Sequence, residues 1–444
     1  MIGINDHLGE WEQGDSRDLT DREILVATMS HQLRFNNSPD WYSDVARTFV
    51  VFFHQPERGP LASAERWEEL QRQAFGTTFR EYFESFIYPV AMQVLAWDGS
   101  KPPIISHDWL DRTAVRRDLL SDWWEDLAID PATAKPLLQP RLRPTGIPHA
   151  PTVLLRKPLL RLRNGNFVPA SPWAMRAQLL AGIWARLLAA AKALNARDGA
   201  QIWLSTFGDS FESWCREVAQ DAAACRWFRG RLLLPSKPGA VDEIEDIVLL
   251  EGRAAVLFSV KSRMVAENVA RWAQSRTALL DWYEDFFFGT ATTTHRQGTA
   301  RLLNARIDRI RSGDFEPTLA RDARLLPVVV TYDSMCDHEL WYDWLCSRCE
   351  VHSLFQQAQV GPLTVARVDE FEALMKRASM GKSVVEVLRK REGAWKNRRL
   401  AEVLAAMNSG SRKGFRLPVM EKLFDEVFEN CTQRLGFKAN PEAT

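Results

Sequence analysis

Cysteine is scarce in this chain. Six in 444 residues cannot staple a fold of this size, which excludes a disulfide-built secreted scaffold. Charge of one sign is missing as well: 57 Lys and Arg balance 57 Asp and Glu. No global field draws the chain to nucleic acid or a membrane, so any such binding has to come from local patches. There is no uninterrupted apolar run either. The longest candidate, "AQLLAGIWARLLAAAKAL" (177–194), carries Arg186 and Lys192 and reads as a buried helix rather than a membrane span. The opening "MIGINDHLGEWEQGD" has no basic start and no apolar h-region, so no signal peptide, no membrane association and a cytoplasmic location are expected. Gly-rich phosphate loops, a GxSxG elbow and an HExxH helix are all absent, which removes the usual signatures of nucleotide hydrolysis, serine hydrolases and zinc proteases.

What is present is ordinary in bulk: 46% hydrophobic and 26% charged residues, as in a globular protein. The length calls for two or three domains. The 17 tryptophans are read as core and domain-interface packing. Residues 1–130 look like an α-helical domain. Thr20 and Glu23 form a capping box, and "SAERWEELQRQAFGTTFREYFESFIYPVAMQVLAW" is a long amphipathic stretch. Six prolines between 131 and 151 predict a linker. In 152–200, Asn164-Gly165 between apolar runs predicts a hairpin, followed by a bridging helix from Pro172 to about Leu194. From 201 to 368 the pattern becomes helix, three strands, helices and a strand, as in an α/β unit with a mixed sheet. A helical tail fills 369–444. The helical first domain, which carries no motif, suits docking to a protein partner.

One stretch, "VDEIEDIVLLEGRAAVLFSVKSR" (241–263), asks for an explanation beyond packing. Two strand-like runs meet at a turn; the first opens on acids and the second ends on a lysine. Residues two apart share a strand face, so Ser259 and Lys261 point together, and a hairpin brings Asp246 toward them. Charges in such a place must be solvated, matched or used. Glu212, on the preceding helix, is a further acid able to approach.

Glu212 in "FGDSFESW", Asp246 in "EIEDIVLL" and Lys261 in "FSVKS" together resemble the PD-(D/E)XK nuclease superfamily, whose core is an αβββαβ restriction-endonuclease-like unit. The resemblance implies Mg²⁺ held by Asp246 and Glu212, with Lys261 positioning the attacking water. It implies phosphodiester hydrolysis, of DNA more than RNA, in a bacterial restriction or anti-phage setting. The acid of acid-x-Lys is Ser259 here. A hydroxyl is a poor substitute for a carboxylate ligand of Mg²⁺. Another acid can take the place (Asp242, Glu243, Glu245 or Glu251), or Glu212, Asp246 and the scissile phosphate can hold one ion. Otherwise catalysis is lost and the fold serves as a nucleic-acid-binding or scaffold subunit. By the same resemblance Arg296, Arg301 and Arg306, on the helix after the three strands, seat the phosphate backbone, with Arg301 where relatives carry a functional Gln. Basic residues of the tail, Lys376, Arg377, Lys382, Arg389, Lys390, Arg391, Lys396, Arg398 and Arg399, form a second candidate backbone-binding face, against the plainer reading of a solvated helix surface. Cys346-x-x-Cys349 with His352, and Cys336 with His338 before them, hint at zinc, but no second pair completes the set and structural thiols are preferred.

Overall fold

The structure is a computed structural model. It describes residues 41–56, 59–95, 102–106, 115–138, 156–170, 172–235, 244–263, 278–289, 298–332, 339–393, 395, 398–408 and 417–435. The expected helix opening at Thr20, the acids Asp242 and Glu243, and Arg296, Cys336, His338 and Lys396 lie outside these residues. By their contacts the described residues form two compact units, one within 218–415, the other within 41–217 together with 417–435. Among the described residues no helix is long and apolar enough to cross a membrane.

The second of these units is mainly helical. Helix α1 (Trp41–Phe53) is followed by α2 (Ala64–Phe75), α3 (Phe79–Tyr82), a π-helical turn and α4 (Tyr88–Leu95). The long stretch expected around residue 76 is therefore two pieces. Gly76 ends α2 in the left-handed region at φ 74°, where a Cβ would also meet the Leu119 side chain at 2.4 Å, so glycine is favoured at the break. Next come α5 (Arg117–Leu127), β1 (Ala128–Ile129) and α6 (Pro131–Leu138). The expected linker thus begins as a helix: Pro131 occupies its first turn, where no intrahelical N–H bond is needed. Residues 139–151 lie outside the described set. The hairpin forms as its Asn-Gly predicts: β2 (Leu159–Arg161) pairs antiparallel with β3 (Phe167–Pro169), and β1 adds in parallel on the other edge of β2. Trp124 stacks on Phe167 at 4.1 Å between centroids. The hairpin is thereby part of the helical unit rather than a separate bridge. Helix α7 (Pro172–Ala177), a π turn and α8 (Ile183–Leu194) follow, then α9 (Gly199–Ala224), within which the division between units falls.

The other unit is an α/β arrangement around a five-stranded mixed sheet of order β4-β5-β6-β7-β8. Strands β4 (Arg231–Leu233), β5 (Ile247–Glu251) and β6 (Ala254–Lys261) form an antiparallel meander. A two-residue turn joins the last two, with Gly252 at φ 61°, the positive φ such hairpins require. Helices α10 (Ala278–Phe288) and α11 (Thr299–Ser312) come before β7 (Arg324–Thr331). That strand pairs parallel with β6 along all eight residues, as a crossover connection allows. Helix α12 (Glu339–Val351) leads to β8 (Thr364–Arg367), a strand absent from the sequence reading, and α13 (Val368–Ser379), α14 (Val384–Glu392) and α15 (Leu400–Asn408) make the helical tail expected there. Finally α16 (Pro418–Leu435) belongs to the helical unit, where Arg434 reaches Glu84.

The sheet's two faces have different neighbours. Val248, Ala255, Leu257, Leu325 and Val329 share a core with Tyr283 and Phe287 of α10, Leu303, Ile307 and Ile310 of α11, and Trp341 of α12. On the other face Phe258 meets Phe371 of α13 edge to face, 5.2 Å between centroids. Strand alternation then puts Ser259 and Lys261 on the α10–α11 side, continuing the row of Ala255 and Leu257.

Candidate functional site

Asp246 stands one residue before β5, opposite the end of β6. Its Oδ2 accepts the backbone N–H of Val260 at 2.6 Å and the Lys261 ammonium at 3.3 Å. Lys261 also donates to the Val260 carbonyl at 3.0 Å. The carboxylate is 12% exposed and the ammonium side chain 31%, so the pair opens at the rim of the sheet rather than in its core. The carboxylate and the lysine, neighbours only through the hairpin, are brought together as the sequence predicts.

Beside them lies an acid that strand alternation assigns to the wrong face. Glu245 is buried, and its carboxyl is pushed up to about 7. Burial is the main cause and the adjacent Asp246 charge the next; Lys261, the Ser259 hydroxyl and Arg306 oppose them. Consecutive acids reach one place because the chain at Ile244 and Glu245 has no regular strand geometry and Asp246 is in a bend. The position that lacks an acid, Ser259, therefore has a carboxyl against its hydroxyl. The only sequence signal for this was the run of acids itself. Asp242, preferred on strand parity, lies outside the described residues, and Glu251 is far along β5, where it caps α14 through Ser383 and the Val384 N–H.

A groove of about 910 Å³ adjoins Glu245. Leu233, Pro235, Ile244 and Val248 line one side, and Arg309, Asp314 and Phe315 the other. Among the described residues no group of three or more His, Cys, Asp or Glu side chains comes together to hold a metal ion. Among the described residues, the acids at this rim of the sheet are the pair Glu245 and Asp246.

The other predicted residues fare unevenly. Glu212 lies on α9 in the stretch belonging to the helical unit, paired with Arg216 one turn on. Arg301 is engaged: its Nε donates to the Phe288 carbonyl at 2.6 Å, and its Nη2 meets His352 Nδ1 at 3.0 Å. It ties α11 to the ends of α10 and α12 while remaining exposed. Arg309 pairs with Asp314, and Arg311 binds the carbonyls of Ala323 and Ala358. Arg306 is half-buried, and its charge bears on Glu245. In the tail cluster Arg377 and Arg391 are buried. Arg377 pairs with Glu386, and Arg391 lies 4.1 Å over the Tyr342 ring. Arg398 and Arg399 pair with Glu402. These four are engaged within the fold, while Arg389 and Lys390 are exposed.

Among the described residues the cysteines do not come together with histidines or acids in a zinc site. Cys346 and Cys349 are free thiols, and burial pushes Cys349 up to about 12, which makes it an inert packing residue. His352 is within 3.1 Å of Glu284 and stacks on Phe288. Burial alone would raise Glu284, but the bonds from Arg348 and His352 hold it below the usual carboxylate range. Comparison with protein-family models, with curated proteins and with solved structures gives no match to this chain.

Proposed function

We propose that the sheet unit is a Mg²⁺-dependent nuclease of the PD-(D/E)XK kind, hydrolysing phosphodiester bonds in DNA more readily than in RNA. The observation that carries this reading is the convergence of Glu245, Asp246, Ser259 and Lys261 at one rim of the sheet. The order of one helix, an antiparallel three-strand meander, a crossover and a parallel strand supports it, as does the groove beside Glu245. The restriction or anti-phage setting comes with the resemblance and is proposed with it.

The donor set fits a hard divalent cation. Mg²⁺ is commonly held by one or two carboxylates plus substrate phosphate oxygens and water. Two adjacent acids, one buried and raised by the other's charge, are a pair that a cation would relieve. In this reading Asp246 and Glu245 hold the ion, Glu245 taking the place of the acid missing at Ser259. When bound, the ion would acidify a water and neutralise charge on the phosphate. Lys261, beside Asp246, directs its amino group to the attacking water or a phosphate oxygen. Ser259 orients the Glu245 carboxyl. Without a cation that carboxyl is poised between its two states near neutral pH; a bound ion would hold it ionised as a ligand, and the proton of the acidified water would pass to solvent. Arg306 supplies positive charge behind it. Glu212, the resemblance's second ligand, is tested separately.

A second reading rests on one observation: Asp246 already caps the Val260 N–H and pairs with Lys261. A purely structural role for that pair corresponds to a nuclease-fold protein that binds nucleic acid or a partner without cutting it. Plasmid DNA and single-stranded RNA incubated with the protein and Mg²⁺ or Mn²⁺ separate the two. The expected result is DNA cleavage lowered about 100-fold or more by Lys261→Ala, Asp246→Asn and Glu245→Gln, with Glu212→Gln reporting its share. Equal inertness of wild type and variants with every metal removes the enzyme reading. Mg²⁺ should also raise Tm, more at pH 8 than at pH 5, because metal and proton compete for Glu245. Asp246→Asn should abolish that rise.

A further inference from the structure

At the opposite end of β6 from Lys261, about 23 Å away at a rise of roughly 3.3 Å per residue, the sheet unit carries a second concave surface. It is a groove of about 570 Å³ lined by Arg229, Gly252, Ser383, Arg389 and Lys390, among others. Its charges are unevenly committed. The acid Glu251 is spent on the first turn of α14: it accepts the Ser383 hydroxyl, the Val384 N–H at 2.8 Å and the Val385 N–H at 3.4 Å. Glu386 pairs with Arg377 at 3.3 Å. Arg229, Arg389 and Lys390 are all exposed and have no ion pair among the described residues. The groove therefore presents three cations without an ion pair among the described residues, while Glu386 is matched by Arg377 and Glu251 is held by neutral donors of the first turn of α14.

Two residues before Arg229 of this groove the chain exposes a large aromatic ring. Trp227 is 63% exposed, the only tryptophan among the exposed large hydrophobic residues described, whereas Trp123, Trp203, Trp214 and Trp341 are buried in cores. The chain just after it is tied to α13, where the Arg229 N–H donates to the Ala378 carbonyl at 3.0 Å. The Arg226 guanidinium lies 4.2 Å from the Trp227 ring centroid. Exposing a large aromatic ring costs hydrophobic free energy, and nothing in the core demands it here.

We propose that this groove binds a single strand of nucleic acid, with Arg229, Arg389 and Lys390 on successive phosphates and a base stacked on the Trp227–Arg226 platform. Cations along a groove combined with a flat aromatic surface suit an unpaired strand, whose bases are free to stack. An acidic peptide would use the cations and leave the ring unused. The groove is remote from Lys261 and Asp246, so the inference stands whether or not the rim cluster cuts.

The test uses the full chain in EDTA, which suppresses metal-dependent cleavage, and a fluorescein-labelled single-stranded oligodeoxynucleotide read by polarisation over a salt series. Wild type is expected to bind with a steep salt dependence. R229Q/R389Q/K390Q should weaken binding tenfold or more and reduce the slope of log K against log salt by about 2, because each lost phosphate contact on a single strand is worth about 0.7. Trp227→Ala should weaken binding about tenfold, and Trp227→Phe should recover most of the loss. Lys261→Ala should leave both effects in place, which separates this site from the rim cluster. Circular dichroism and denaturation midpoints establish that the exposed-residue variants remain folded. The proposal is overturned if wild type shows no salt-sensitive binding, or if the triple variant keeps wild-type affinity and slope. It is also overturned if a duplex of equal length or polyglutamate competes as well as the single strand, which would assign the groove to duplex or to an acidic protein.

Discussion

The two units treat buried acids in opposite ways. In the helical unit Asp44 is fully buried and neutralised twice, by Arg47 at 3.1 Å and by Arg176, whose Nη2 donates at 3.1 Å. Glu84, equally buried, takes bonds from Arg80 at 2.9 Å, Asn430 at 3.1 Å and Arg434 at 2.7 Å. These acids join α1 to α7 and the π turn after α3 to α16, and every oxygen is matched. At the rim of the sheet Glu245 is buried beside another acid, and burial wins over the cations near it. Glu370, in the same unit, shows that the contrast is local: it accepts the N–H groups of Arg367 and Ala401, each at 2.8 Å. Buried charge used for architecture is compensated, whereas Glu245 is left under-compensated beside a groove, the contrast on which the proposed site rests.

The largest effect that can break this comparison comes from Asp44→Ala. It strands Arg47, whose side chain is 2% exposed, and a buried ion left without its partner costs about 3–5 kcal/mol. Glu84→Ala should cost less, because Arg80 and Arg434 can turn toward water. Glu245→Gln should leave stability unchanged or raise it at pH 8. Urea denaturation of the three variants gives the order directly. A Glu245→Gln loss as large as that of Asp44→Ala would mean that the rim acid is architectural after all.

A second, smaller effect is carried by pH. The Glu245 carboxyl goes from an ordinary 4.5 to about 7 in the folded chain. Between these values the unfolded chain releases its proton first. The folded form therefore has a stabilising contribution that is complete below 4.5 and lost as pH rises through 7. The loss is on the order of 3 kcal/mol if the carboxyl titrates alone. Denaturation midpoints from pH 4.5 to 8 should decline more steeply for wild type than for Glu245→Gln. Added Mg²⁺ should reverse the decline at the alkaline end, when the ionised acid has a cation to meet.

Much of this architecture is written in local patterns. The β5–β6 hairpin follows from two apolar runs and Gly252, β7 from an unbroken β-branched run, the end of α11 from Gly313, and the β2–β3 hairpin from Asn164-Gly165. The pairing of Asp246 with Lys261 follows from the same register. What is hidden depends on long-range placement. Strand β8 is four residues long and exists because β7 offers it an edge. The first turn of α6 tolerates the proline that suggested a linker. Arg377 and Arg391 belong to a basic run that reads as a solvated surface, yet Glu386 and the Tyr342 ring draw them inward. Glu245 escapes alternation because alternation applies only inside a strand, and the chain there is still irregular.

The smallest effect sharpens the comparison by removing burial while keeping the chemistry. Glu68 and Arg72 form an i,i+4 pair on α2 at 2.9 Å, with side chains 52% and 66% exposed. Water screens both charges, and holding two long side chains in one geometry offsets most of the attraction. Glu68→Gln should therefore change stability by no more than about 0.5 kcal/mol, with no pH dependence beyond that of wild type. If it cost as much as Glu84→Ala, depth would not be the variable separating strong from weak carboxylates in this protein. The unusual state of Glu245 would then need another cause than its removal from water beside Asp246.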